Sequence, residues 1–92
     1  MNLVLIENWS ITIGNPYHAP EIQFSRLHGN VQDHPNFPKD HEIFTSQILG
    51  KDKDNNIVTG NRIYRLGEVD PEYAQLYPNA LERLLTSAPL IK

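Results

Sequence analysis

The chain contains no cysteine. Disulfides, thiolate zinc sites and cysteine nucleophiles are therefore excluded together. A cysteine-free sequence also fits a reducing compartment. Long apolar runs are missing as well: nothing approaches the roughly 20 residues of a membrane-spanning helix. The brief apolar run Leu3-Val4-Leu5-Ile6 has no basic residues before it and no small-residue cleavage site after it, so it does not read as a signal peptide. The expected location is the cytoplasm, with no membrane partner. Basic charge is scarce too. Eight Lys and Arg stand against eleven Asp and Glu, a net charge of −3, whereas nucleic-acid binders usually carry a basic patch. No nucleic-acid partner is expected. Two or three local arginines can still hold a small anion whatever the net charge.

Catalytic signatures are missing in the same way. Ser46 sits in Phe44-Thr45-Ser46-Gln47-Ile48, not in a Gly-x-Ser-x-Gly elbow. There is no Gly-x-x-x-x-Gly-Lys phosphate loop. The paired His-x-Thr/Ser motifs of a two-histidine phosphodiesterase are absent. No enzyme activity and no cofactor are expected.

What is present is a chain of 92 residues, enough for one domain with a modest core. Trp9-Ser10-Ile11-Thr12-Ile13 alternates with the period of a half-buried strand. Gly14 to Pro20 reads as a loop. Glu21 to Leu27 alternates again and is expected to continue to Val31, with Gly29 at a bulge. Pro35 and Pro38 make 32–40 an irregular loop. Ile43 to Leu49 is rich in strand formers, Gly50 to Asn56 is a polar turn, and Ile57-Val58-Thr59 pairs back as a hairpin. Gly60-Asn61 punctuates the chain before a last strand, Arg62 to Leu66.

Asp70-Pro71-Glu72 is a strong helix start: a capping carboxylate, a proline suited to the first turn and an acid at the positive dipole end. Tyr73, Leu76, Tyr77, Ala80, Leu81, Leu84 and Leu85 then recur at spacings of three and four, which predicts one amphipathic helix over 70–87. Pro78 should kink it near Ala74. The expected fold class is α+β: a mainly β segment, 1–69, forming a small antiparallel sheet bent at Gly29 and Gly60, packed by that kinked helix. The helix has more leucine and tyrosine than one small sheet needs to cover. A homodimer, most simply two-fold, or a higher homo-oligomer is therefore expected.

Three groups of residues invite a chemical reading. His18, His28, His34 and His41 lie near Asp33, Asp40 and Glu42, the donor types of a zinc or iron site, but their spacing is irregular, and loop histidines in solvent are the expected reading. Asp52-Lys53-Asp54-Asn55-Asn56 has the start of a calcium loop, yet Ile57 and Ile63 occupy the positions that need Gly and an acid, so a hairpin turn is expected. Finally, Thr45, Ser46, Thr59 and Asn61 place short hydrogen-bonding side chains on adjacent strands, followed by Arg62, Tyr64 and Arg65. Such a set suits a flat anionic ligand: Arg for phosphate, Asn for a base edge, Tyr for stacking. From the residues alone, ordinary strand decoration is the expected reading, since Thr is a good strand former.

The segments Leu27-His28-Gly29-Asn30-Val31, His34-Pro35-Asn36-Phe37-Pro38, Ile43-Phe44-Thr45-Ser46-Gln47-Ile48 and Ile57-Val58-Thr59-Gly60-Asn61-Arg62-Ile63-Tyr64-Arg65-Leu66-Gly67 resemble small phage- and prophage-encoded proteins. Their shared pattern is Gly-x-Val, His-Pro, Thr-Ser-x-Ile, then Val-x-Thr-x-Asn-x-x-Tyr-x-Leu. It is also similar to the first family of phage anti-Thoeris sponges, which bind a cyclic ADP-ribose signal, and sometimes cyclic oligonucleotides, without cleaving them. The resemblance implies ligand-binding roles for Thr45, Ser46, Thr59, Asn61 and Tyr64. The sponges also use arginines of a C-terminal helix, and the helical arginine here is Arg83. The function so implied is non-enzymatic: a phage anti-defence protein that sequesters a small nucleotide signal of Thoeris or CBASS type in the host cytoplasm. The alternative is a protein-binding inhibitor or accessory protein of a phage or mobile element, such as an anti-CRISPR. A histidine-based metal hydrolase is a third possibility.

Overall fold

The computed structural model describes residues 3–13 and 25–91. The expected loop at 14–20, the expected strand start at 21–24 and His18 lie outside the described residues. The strands are β1 (Leu3–Ile13), β2 (Ser25–Val31), β3 (His41–Lys51), β4 (Ile57–Thr59) and β5 (Ile63–Leu66), followed by helices α1 (Pro71–Leu76) and α2 (Ala80–Ser87). The class is α+β, but the sheet is not a simple bent one. It closes into a barrel in the order β1-β2-β3-β4-β5. Each strand runs antiparallel to the one before it. Four such reversals leave β1 and β5 pointing the same way, so the pair that closes the barrel has to be parallel. Leu3 to Ile6 align with Ile63 to Leu66 in that pair.

The first strand starts earlier than its alternation suggests, and a bulge is the reason. Between the pairs Glu7–Asn30 and Ser10–His28, two residues of β1 oppose the single residue Gly29 of β2. Asn8 takes φ 52°, a left-handed conformation that Asn tolerates better than most residues. The extra residue shifts the inward set from even to odd numbers: Val4 and Ile6 before it, Trp9 after it, all fully buried. Gly29 itself is regularly paired, with Ile43. The bulge expected at Gly29 sits in the strand opposite, and Gly29 accommodates it. A Cβ there would lie 2.8 Å from the Glu7 carbonyl oxygen and 2.9 Å from Ile6 Cγ1.

The β3–β4 hairpin forms as expected, pairing Ile48 with Thr59 and Lys51 with Ile57. Its turn is closed by Asp52, whose Oδ1 accepts the backbone N–H groups of Asp54 and Asn56 at 2.9 Å each, while Oδ2 accepts from the Asn56 amide at 3.1 Å. Asn55 adopts φ 64° within it. Slight burial raises the Asp52 pKa. The hydrogen bonds from Asn56 and Asp54, with Lys53 nearby, outweigh that and leave it below the ordinary value. The stabilisation is thus complete above the ordinary carboxylate pKa of about 4 and is lost as pH falls through the lower folded value. Asp52→Ala should lower unfolding free energy at neutral pH by about 1 kcal/mol. It should also flatten the acid side of the stability curve, as chemical denaturation at stepped pH would report.

The C-terminal segment is two helices rather than one kinked helix. Asp70 caps α1 as expected, with Oδ2 accepting the Tyr73 N–H at 3.1 Å. No break occurs at Ala74, whose N–H donates to Asp70 O at 2.8 Å. The interruption falls at Tyr77-Pro78-Asn79. Pro78 has no N–H to offer, and its ring forces the preceding residue out of the helical region: Tyr77 sits at φ −134°, ψ 79°. The turn re-aims the apolar stripe. Tyr73, Leu84 and Leu85 pack against the core, and Ala80 is buried in it. Leu76, Leu81 and Tyr77 remain 73%, 46% and 44% exposed. After α2 the chain returns to the sheet. Lys51 N–H donates to Pro89 O and Ile91 N–H to Lys51 O, each at 2.8 Å, so the C-terminal residues run beside β3. Gly50 permits this approach, since a Cβ there would sit 2.3 Å from Pro89 O.

Candidate functional site

Strand alternation divides the expected ligand set. Thr45 and Thr59 point inward and are buried. Thr45 lies where β3 carries two residues against Leu27, and its hydroxyl stands in for the missing ladder acceptor: Oγ1 accepts Leu27 N–H at 3.0 Å and donates to Ser46 O at 2.8 Å. Thr59 Oγ1 donates to Arg62 O at 2.8 Å and accepts Arg62 N–H at 3.2 Å, which closes the β4–β5 turn. Both hydroxyls therefore serve the barrel. Tyr64 is also inward, packed in the core beside Val4, Ile57 and Trp9, and burial pushes its phenol pKa up against the opposing effect of Arg62. It cannot be a stacking platform in this position.

Ser46, Asn61 and Arg62 sit at the surface corner where β3, β4 and β5 meet. Asn61 Nδ2 donates to Ser46 Oγ at 2.6 Å. Gly60 N–H donates to Gln47 O, holding the corner against β3. The Arg62 guanidinium is within electrostatic reach of His34, whose pKa is lowered first by slight burial and then by Arg62, against Asp33.

The described histidines do not converge. His28 Nε2 lies 3.3 Å from Glu42 Oε2 and its ring packs on Phe44. His34 and His41 flank Phe37, with ring centroids 4.7 Å apart on each side. His34 Nδ1 accepts the Asn36 N–H at 3.0 Å. Among the described residues no three potential ligands form a metal site. The calcium-like segment has its Asp52 carboxylate occupied by its own turn.

Arg83 lies elsewhere, on a groove of about 570 Å³ between the helices and the wall formed by β1, β2 and β3. Ile11, Ile48 and Leu84 supply apolar lining, while Tyr73 and Tyr77 stand beside Arg83. None of the other expected ligand residues lines it. The two tyrosine rings touch, with centroids 4.8 Å apart and planes at 43°. Burial raises the Tyr73 pKa most and Tyr77 adds to it; the Ile11 backbone N–H directed at the phenol oxygen and the Arg83 charge oppose them. Among the described residues Arg83 makes no ion pair. The site is mostly apolar with a few convergent polar groups, the usual make-up of a small-molecule site. Reading along the sequence counts Tyr73 and Tyr77 only as parts of an apolar stripe. Their four-residue spacing ahead of Pro78 was the signal that they would meet at a helix break. No described helix is long and apolar enough to cross a membrane. No known protein family, curated protein or solved structure matches the chain.

Proposed function

We propose that the chain is a non-enzymatic binder that captures a small cyclic nucleotide-type signal and holds it intact in the host cytoplasm, as the phage anti-defence sponges it resembles do. The observation that carries this reading is Arg83: an exposed guanidinium without an ion pair among the described residues, on a groove that also presents two contacting tyrosines. A guanidinium suits a phosphate by charge and by its paired donors. Isothermal calorimetry against cyclic ADP-ribose isomers and cyclic oligonucleotides tests it. Binding by the wild type with recovery of unaltered ligand supports the reading; no binding to any member of the panel defeats it.

Ser46, Asn61 and Arg62 line a different surface from Arg83 within one chain. We propose that a two-fold homodimer presents both sets to one ligand, its contact made by Leu76 and Leu81, leucines the helix break leaves exposed. Leu81 is half exposed, so a charge there costs the fold little while placing an ammonium in the apolar contact. Leu81→Lys should yield a folded monomer in sedimentation experiments in which the wild type sediments as a dimer. A monomeric wild type would contradict the assembly. The same exposed residues favour the alternative, a protein-binding inhibitor, if the nucleotide panel fails.

A further inference from the structure

The composition of the groove goes further than its charge. We propose, on the strength of the nucleotide-binding reading above, that Tyr73 and Tyr77 are its specificity residues. They would select a ligand unit made of one heteroaromatic ring bearing a hydrogen-bond acceptor and one phosphate group.

The rings of Tyr73 and Tyr77 already touch each other, at 4.8 Å between centroids, so no ligand ring fits between them. Tyr77 is 44% exposed and offers its outer face for stacking. Tyr73 is half-buried and lines the groove with Arg83, so its phenol O–H is the donor offered to a ligand there. A nucleobase presents ring nitrogens and carbonyl oxygens to accept it; a sugar phosphate presents no such flat edge.

The phosphate count follows from the charges. Arg83 is the one cation on this groove among the described residues. It shares a shallower depression with Glu82, Asn79 and Thr86, so a carboxylate stands on the far side of the guanidinium. One bidentate phosphate is matched there. A second or third phosphate directed along α2 would meet Glu82 without a further cation.

The test titrates the full chain with adenosine monophosphate, adenosine triphosphate, ribose 5-phosphate and the cyclic nucleotide that binds best, following amide shifts by NMR. Wild type, Tyr77→Leu and Tyr73→Phe are compared, with melting temperatures as the folding control. Adenosine monophosphate should bind in the groove, ribose 5-phosphate at least tenfold more weakly, and the triphosphate no better than the monophosphate. Tyr77→Leu should weaken the base-bearing ligands roughly tenfold through lost stacking. Tyr73→Phe should weaken them by a similar factor through the lost donor. Neither substitution should change the weak affinity for ribose 5-phosphate. If the cyclic nucleotide binds and is lost in Arg83→Ala but is indifferent to both tyrosine substitutions, the tyrosine inference is overturned while the binding reading stands. If the wild type binds no cyclic nucleotide, the binding reading fails first and takes this inference with it.

Discussion

Arg83→Ala is expected to weaken capture of a cyclic nucleotide signal by tenfold to a hundredfold and to leave the melting temperature nearly unchanged. The magnitude follows from the loss of a charge-assisted hydrogen bond, typically roughly 1.5–3 kcal/mol. The neutrality toward folding follows from position. Arg83 is exposed on α2, and among the described residues its side chain holds no ion pair. Its backbone N–H bond to Asn79 O, at 2.9 Å, survives truncation to alanine. Arg83→Lys should recover part of the affinity, since it restores the charge without the planar pair of donors. Calorimetry on the three proteins at one salt concentration separates these contributions. Equal affinity in all three would remove Arg83 from the site.

Trp9→Ala should be the most damaging single change to the fold. Trp9 is 1% exposed and is the largest fully buried side chain. Its indole Nε1–H donates to Gly67 O at 3.0 Å. Its backbone accepts from Asp70 N at 2.8 Å and donates to Glu68 O at 3.2 Å, which extends the β1–β5 closure toward the start of α1. Truncation removes a core aromatic and leaves a cavity, a loss of about 3–5 kcal/mol. A domain of this size has total stability of roughly 5–14 kcal/mol, so a large share of the margin would go. The melting temperature should drop by roughly 15–30 °C. Trp9→Phe keeps much of the volume and loses the hydrogen bond, and should fall between. A wild-type-like thermal transition for Trp9→Ala would contradict the burial of the indole in the core.

How much of this was legible in the sequence depends on the range of the signal. The β3–β4 hairpin, the irregular loop at 32–40 and the Asp70 cap are local, and each was readable from alternation, proline content and capping chemistry. Barrel closure was not, because the parallel β1–β5 pair joins residues some sixty positions apart and depends on strand parity. The N-terminal half of β1 was hidden by the bulge at Asn8. Val4 and Ile6 precede it and Trp9 follows it, so no single period of two spans the strand. The helix break was half legible. Pro78 announced an interruption, but the extended Tyr77 placed it at the proline rather than a turn earlier. For the site, proximity in sequence misled. Thr59, Asn61, Arg62 and Tyr64 are close along the chain, yet the barrel faces Thr59 and Tyr64 inward and leaves Asn61 and Arg62 outside. Arg83 entered the candidate set only as what the resemblance implied, and the groove that it shares with Tyr73 and Tyr77 emerges only once α1 and α2 are seen as separate helices.

The central claim, capture of an intact nucleotide signal, is tested most directly by native mass spectrometry of the full chain purified from cells that make cyclic nucleotide signals. The expected spectrum shows wild-type protein carrying a small-molecule adduct, released at the mass of the uncleaved cyclic nucleotide on denaturation, with the adduct lost or strongly reduced in Arg83→Ala. Wild-type protein free of any adduct when the signal is demonstrably present in the same cells, or release of a linear cleaved product, would contradict it.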